Sequence, residues 1–146
     1  MTSLSQFLTG EHHHCDDLFA KAENAVAASD WAQAQSGFLA FFEDMQQHFS
    51  HEEDVLFPAF ETRTGMSGGP TAVMREEHLQ MNRVFAAMQE ALARHDGNAY
   101  LGQSETLLML MRQHNLKEEN MLYPMADQAL AGEQPALLAR MQTAAA

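Results

Sequence analysis

The chain has 146 residues, 46% of them hydrophobic and 19% charged, the profile of one soluble globular domain with its own core rather than a disordered or collagen-like chain. Eight Lys and Arg against twenty Asp and Glu leave a formal net charge of −12, which argues against nucleic acid and against anionic membrane surfaces as partners. Cys15 is the single cysteine, so no internal disulfide framework exists.

The first twenty residues hold no basic side chain and no apolar signal core, which makes a cytoplasmic protein the expectation. Leu4, Phe7 and Leu8 open an apolar face with helical spacing. Ser29-Asp30 before Trp31 reads as a helix N-cap, and Phe38, Phe41, Phe42, Met45 and Phe49 carry the next face. Met66-Ser67-Gly68-Gly69-Pro70 is the clearest break. Val84, Phe85, Met88 and Leu92 continue the pattern up to Asp96-Gly97-Asn98, and Leu107, Leu108 and Met111 resume it. The aliphatic run Leu107-Leu108-Met109-Leu110-Met111 is far too short to cross a membrane. No stretch alternates at period two. The reading is all-α: helices near 3–28, 30–62, 70–94 and 97–130, with a short fifth near 135–143 after Gly132 and Pro135. Long amphipathic helices joined by short turns predict an antiparallel up-down four-helix bundle in one domain spanning 1–146.

The sequence repeats itself. A shift of 66 residues, without gaps, lays Glu11-His12 on Glu77-His78, Phe19-Ala20 on Phe85-Ala86 and Asp30 on Asp96. It lays Met45, Gln47 and His48 on Met111, Gln113 and His114. Glu52-Glu53, Leu56 and Pro58 fall on Glu118-Glu119, Leu122 and Pro124. The halves, about 3–66 and 69–130, are two helix pairs of one design, related by a pseudo-two-fold axis.

Both halves contain His-x-x-x-Glu-Glu-x-x-Leu-aromatic-Pro, from His48 to Pro58 and from His114 to Pro124. Residues i and i+4 share a helix face, so His48 points with Glu52 and His114 with Glu118. Glu53 and Glu119 are turned a further ~100° and should drift toward solvent. Antiparallel packing places the start of one helix beside the end of the next, which brings His12 to His48 and Glu52, and His78 to His114 and Glu118. Four imidazoles and two carboxylates would then converge in the core. Burying them uncompensated is costly, and metal coordination is the usual remedy. Two His per ion, with each Glu bridging and an oxide or hydroxide between, suits two metals with one position open on each. Imidazole and carboxylate donors without thiolate favour iron or manganese over structural zinc. A ferritin-like carboxylate site needs Glu-x-x-His twice, and only Glu11 to His14 offers that spacing.

On Glu11-His12, His48-Phe49-Ser50-His51-Glu52-Glu53, Leu56-Phe57-Pro58, Glu77-His78 and His114…Glu118-Glu119…Leu122-Tyr123-Pro124, the chain resembles the hemerythrin-like, or HHE cation-binding, domain family over nearly its whole length. The resemblance implies a four-helix bundle around an oxo- or hydroxo-bridged di-iron centre, with manganese or zinc as possible substitutes. By position, the ligands would be His12, His48, Glu52, His78, His114 and Glu118. The oxygen-carrier branch has a further His four residues after the third-helix His, where this chain has Asn82, and His-x-x-x-x-Asp on the fourth helix, where this chain has His114…Glu118. The symmetric set looks closer to the branch implicated in repairing iron centres after nitrosative damage.

Three roles follow as expectations. The first is a non-haem di-iron protein that binds or reacts with dioxygen, nitric oxide or peroxide for sensing, storage or detoxification. The second is iron-centre repair, and the third an iron-responsive regulatory module. No protein partner and no enzymatic reaction is specified. Asp16 and Asn82, each one turn past a ligand His, are candidate partners orienting those ligands. His51 could add an imidazole, although its repeat mate Lys117 suggests exposure. Cys15 reads as a small buried residue or a redox thiol, His13, His14 and His95 as surface residues, and Pro58 and Pro124 as kinks beyond the Glu ligands.

Overall fold

The computed structural model describes residues 2–144 and is helical nearly throughout. Helix α1 (Leu4–Ala27) starts with a reciprocal cap: the Ser3 side chain accepts from the Gln6 N–H, and the Gln6 side chain accepts from the Ser3 N–H. α2 (Trp31–Ser50) is capped by Asp30, and α5 (Gly97–Lys117) by Asp96 at the repeat-equivalent position. The repeat extends to the turns. Ser29 and His95, 66 apart, are the two described non-glycine residues with positive φ, at 56° and 53°. α4 (Pro70–Ala93) follows the Gly/Pro break, and α7 (Gln134–Ala144) supplies the short terminal helix. α1, α4 and α7 match the expected boundaries to within a few residues, and α2 and α5 match at their starts. Among the described residues no helix is long and apolar enough to cross a membrane.

Cross-helix contacts fix the directions. His12 meets His48 while Ala22 meets position 37, so α1 and α2 run antiparallel. A Cβ on Gly37 would lie 3.3 Å from Ala22 Cα, so glycine permits this close approach. On the other side of α1, His12 meets Glu118 while Glu23 accepts from Ser104. α4 faces α2 through Phe49–His78 and Phe41–Phe85, and α5 through His78–His114.

The second and fourth long helices are not α-helical throughout. Residues His51–Leu56 and Glu118–Leu122 form π turns, after which α3 (Phe57–Thr64) and α6 (Tyr123–Ala129) continue. The N–H of Phe57 bonds back to Glu52 O, and that of Tyr123 to Glu118 O, five residues rather than four. The prolines explain the position. Pro58 and Pro124 cannot donate, and each ring excludes the carbonyl four residues earlier. Arg140 Nη2 on α7 approaches the freed carbonyl of Asp54 to 3.5 Å. The expected proline kinks are thus realised as π turns lying over the Glu residues.

Two apolar clusters flank a central polar layer. One, at the end with the turns at 28–30 and 94–96, holds Phe19, Ala22, Phe38, Phe41, Phe85, Met88 and Tyr100. The other holds Leu4, Leu8, Leu56, Phe57, Phe60, Leu122 and Tyr123, closed by Leu137, Leu138 and Met141 of α7. Phe41 is fully buried and meets Phe19 and Phe85 edge-on. Phe41→Ala is expected to lower the unfolding free energy by about 3–5 kcal/mol, through lost burial and a residual cavity. Urea denaturation followed by circular dichroism measures it; a loss below about 1 kcal/mol would show that this layer collapses around the gap.

Candidate metal centre

The six residues singled out in the sequence meet between the two apolar clusters. His12, His48, His78 and His114 are at most 3% exposed, and Glu52 and Glu118 are fully buried. They form two groups, His12/His48/Glu52/Glu118 and Glu52/His78/His114/Glu118, within each of which one ligand atom per residue lies within 4.8 Å of the others. Both glutamates belong to both groups.

Each imidazole is held from outside by a carboxylate on its Nδ1. His48 Nδ1 lies 2.8 Å from Glu11, His114 Nδ1 2.8 Å from Glu77, His78 Nδ1 2.5 Å from Glu53 and His12 Nδ1 2.7 Å from Glu119. An ionised carboxylate only accepts, so Nδ1 carries the proton and Nε2 is directed inward. The Nε2 atoms of His48, His78 and His114 have no hydrogen-bond partner among the described residues. His78 Nε2 lies 3.0 Å from Glu52 Oε1 and His114 Nε2 3.2 Å from Glu118 Oε1, but neither contact has hydrogen-bond geometry. Buried ligand atoms that approach without bonding one another are what a cation-binding cluster presents.

The four outer carboxylates divide into two kinds. Glu11 and Glu77 precede His12 and His78 in the sequence and reach the next helix in the chain. Glu53 and Glu119 follow Glu52 and Glu118. They are 37% and 32% exposed, yet their carboxylates turn inward to His78 and to its repeat mate His12. The drift to solvent expected for this pair is therefore only partial. Asp16 and Asn82 do not take the orienting role foreseen for them. Asp16 has no hydrogen bond to His12 among the described residues, and Asn82 Oδ1 accepts from Gln46 Nε2 at 2.7 Å.

His51 is 1% exposed, against the exposure its mate Lys117 suggested. Its Nδ1 sits 2.7 Å from the second oxygen of Glu11, and Lys117 Nζ occupies the same place on Glu77. A Lys and a His thus serve one purpose, steadying the carboxylate that steadies a ligand imidazole. Cys15 is buried, and its thiol donates to Asp44 Oδ2 at 3.0 Å. Burial and the Asp44 charge push its pKa upward, which disfavours the reactive thiolate. His13, His14 and His95 are exposed, as expected.

Tyr123, quoted in the motif but given no role there, enters the centre. Its Oη donates to Glu52 Oε2 at 2.5 Å and lies 3.0 Å from Glu118 Oε1 and 3.1 Å from His12 Nε2. Five residues after Glu118, an α-helix would have turned it about 140° away. The π turn restores it to the inner face.

The charges respond to this crowding. Burial raises the pKa of Glu52, and the neighbouring Glu118 charge adds to it. Burial would raise Glu118 too, but the His114 charge beside it and the hydrogen bond with His12 pull it well below the usual carboxylate range. Glu11 behaves alike: against the effect of burial, its bonds to His48 and His51 hold it at about 2.

The family model described as Hemerythrin HHE cation binding domain matches residues 3–126. No curated protein and no solved structure gives a significant match to the chain.

The Glu11 carboxyl lies below its ordinary 4.5 in the folded chain, so its ionised form favours folding. That contribution is complete above about pH 4.5 and is withdrawn as the pH falls toward 2. In metal-free protein, Glu11→Gln should flatten part of the loss of stability over this window. Chemical denaturation at a series of pH values tests it, and equal slopes for both chains would remove Glu11 from the acid response.

Proposed function

The chain belongs to the hemerythrin HHE cation-binding domain family, and we propose that its six-residue cluster holds two iron ions and reacts with a small molecule such as dioxygen, nitric oxide or peroxide. One observation carries this reading: two four-residue groups of buried ligand atoms share the same two glutamates. That sharing is the arrangement two ions bridged by carboxylates require. His12 and His48 would serve one ion, His78 and His114 the other, and Glu52 and Glu118 both. Four imidazoles and two carboxylates, with no thiolate, suit iron, with manganese or zinc as substitutes.

A bound iron pair supplies an open coordination position and one-electron redox capacity. The protein does the rest. Glu11, Glu53, Glu77 and Glu119 fix the tautomer and ring angle of the four imidazoles and raise their basicity as donors. Phe49, stacked on His78 at 3.9 Å, and Phe57 at 5.9 Å keep that side of the centre dry. In metal-free protein the His114 imidazole also holds a proton. Against burial, the charge of Glu118 and the hydrogen bond to Glu77 raise His114 to about 10. Ions therefore enter by displacing protons.

The observation that favours sensing, storage or detoxification over reversible carriage is at Asn82. The imidazole that carriers place there is replaced by an amide bonded to Gln46. The same replacement leaves iron-centre repair as the second reading. An absorption spectrum of the iron-loaded, reduced protein before and after exposure to dioxygen or nitric oxide tests the small-molecule reading; no spectral change with either gas would overturn it.

Elemental analysis after reconstitution should give two irons per chain. Glu52→Ala should lose most of both, because it removes a donor from each group. Glu53→Ala should keep the sites but weaken iron binding about 10–100-fold, as expected for loss of a carboxylate behind a ligand imidazole. Well under one metal per wild-type chain would sink the two-metal assignment, and equal losses in the two variants would sink the division of roles.

A further inference from the structure

Next to the six-residue cluster the two halves differ by one oxygen. Phe57 and Tyr123 are equivalent under the 66-residue shift. Both are fully buried, and each follows a π turn. Each ring lies over a ligand imidazole, Phe57 on His78 at 5.9 Å and 24°, Tyr123 on His12 at 5.6 Å and 26°. The phenylalanine offers the His78/His114 group no polar atom. The tyrosine places its hydroxyl beside three atoms of the His12/His48 group.

That hydroxyl has one proton and three polar neighbours, so a single hydrogen bond to Glu52 does not account for its position. Neighbouring oxygen or nitrogen donors on a six-coordinate ion with bonds near 2.1 Å stand about 3 Å apart. Tyr123 Oη keeps that spacing from His12 Nε2 at 3.1 Å and from Glu118 Oε1 at 3.0 Å. Its side chain is carried on a proline-locked helix start and packed on the His12 ring, so its aim is built in.

We propose that Tyr123 is a seventh protein ligand, giving a phenolate oxygen to the ion held by His12 and His48. The inference rests on the two-metal reading above and sharpens it. The two positions become unlike. Two imidazoles, two bridging carboxylate oxygens, a bridging oxide or hydroxide and the phenolate complete six donors on the first ion. The open position then belongs to the ion held by His78 and His114, beneath Phe49 and Phe57. On ligation the phenol O–H bond breaks, and the proton is released to solvent while its electron pair forms the bond to the metal.

The test is spectroscopic and uses the full chain loaded with ferric iron, with iron content measured on the same samples. Wild-type protein is expected to show a visible ferric–phenolate charge-transfer band, with tyrosinate ring modes enhanced in the resonance Raman spectrum. Tyr123→Phe should fold, because Phe57 already fills the equivalent place. It should keep two irons per chain and lose the band. Phe57→Tyr should add a second phenolate and roughly double the band. Two irons per wild-type chain without phenolate modes, or a band that survives in Tyr123→Phe, overturns the ligand role and leaves the tyrosine a hydrogen-bond donor to Glu52. Failure to bind two irons at all overturns the underlying reading, and the iron content tells the two failures apart.

Discussion

Four imidazole–carboxylate hydrogen bonds, one across each interface between neighbouring helices, hold the middle of this bundle. Glu11 to His48 joins α1 to α2, and Glu77 to His114 joins α4 to α5. Glu53 to His78 joins the second long helix to α4, and Glu119 to His12 joins the fourth to α1. The circuit is closed. Its necessity is electrostatic: six titratable side chains lie almost wholly out of water, where an unpaired charge or donor is costly. The apolar clusters above and below could pack in several rotational settings. The polar layer selects the setting in which every Nδ1 finds its carboxylate.

The π turns are the second device. A π turn is less favourable than an α turn and occurs mostly at functional positions. Here each one sits between a shared glutamate and a proline. The proline removes a donor that an α-helix would have used, and the wider turn takes up the mismatch. The extra residue in the turn keeps Glu52 and Phe57, or Glu118 and Tyr123, on one inner face. Both halves keep this arrangement, with Phe57 in one and Tyr123 in the other following the turn.

Much of the fold and the six-residue cluster were legible in the sequence, and the reasons are specific. His48/Glu52 and His114/Glu118 are spaced at i and i+4, where ordinary α-helical phase still holds. His12 and His78 were placed by antiparallel packing, which short turns enforce. Sequence reasoning failed where that phase failed. Tyr123 lies beyond the π turn, so α-helical angles pointed it away from the centre. The Leu-aromatic-Pro repeat was the available signal, since a proline just past a buried acid must disturb the helix. Glu11 and Glu77 were visible as repeated neighbours of His12 and His78, but their reach across to the adjacent helix depends on side-chain length, which periodicity does not register. The lysine at its repeat position points His51 toward solvent, yet the two side chains share a role, holding the carboxylate before a ligand His, and not an exposure. Asp16 and Asn82 were chosen by helix position alone, and their neighbours decided otherwise.

The burial of the centre also has a kinetic side. All six residues are at most 3% exposed, and helix α7 covers the end of the bundle nearest to them with Leu137, Leu138 and Met141. A hydrated ion is too large to pass between closely packed helices, so traffic into and out of such a layer waits on a transient parting of the bundle. The residence time of an ion held there would then depend on how often the helices separate as well as on how tightly its ligands hold it. A chain built this way can be slow to load and slow to empty, and can keep its ions through swings in their free concentration that would strip a more open site of equal affinity.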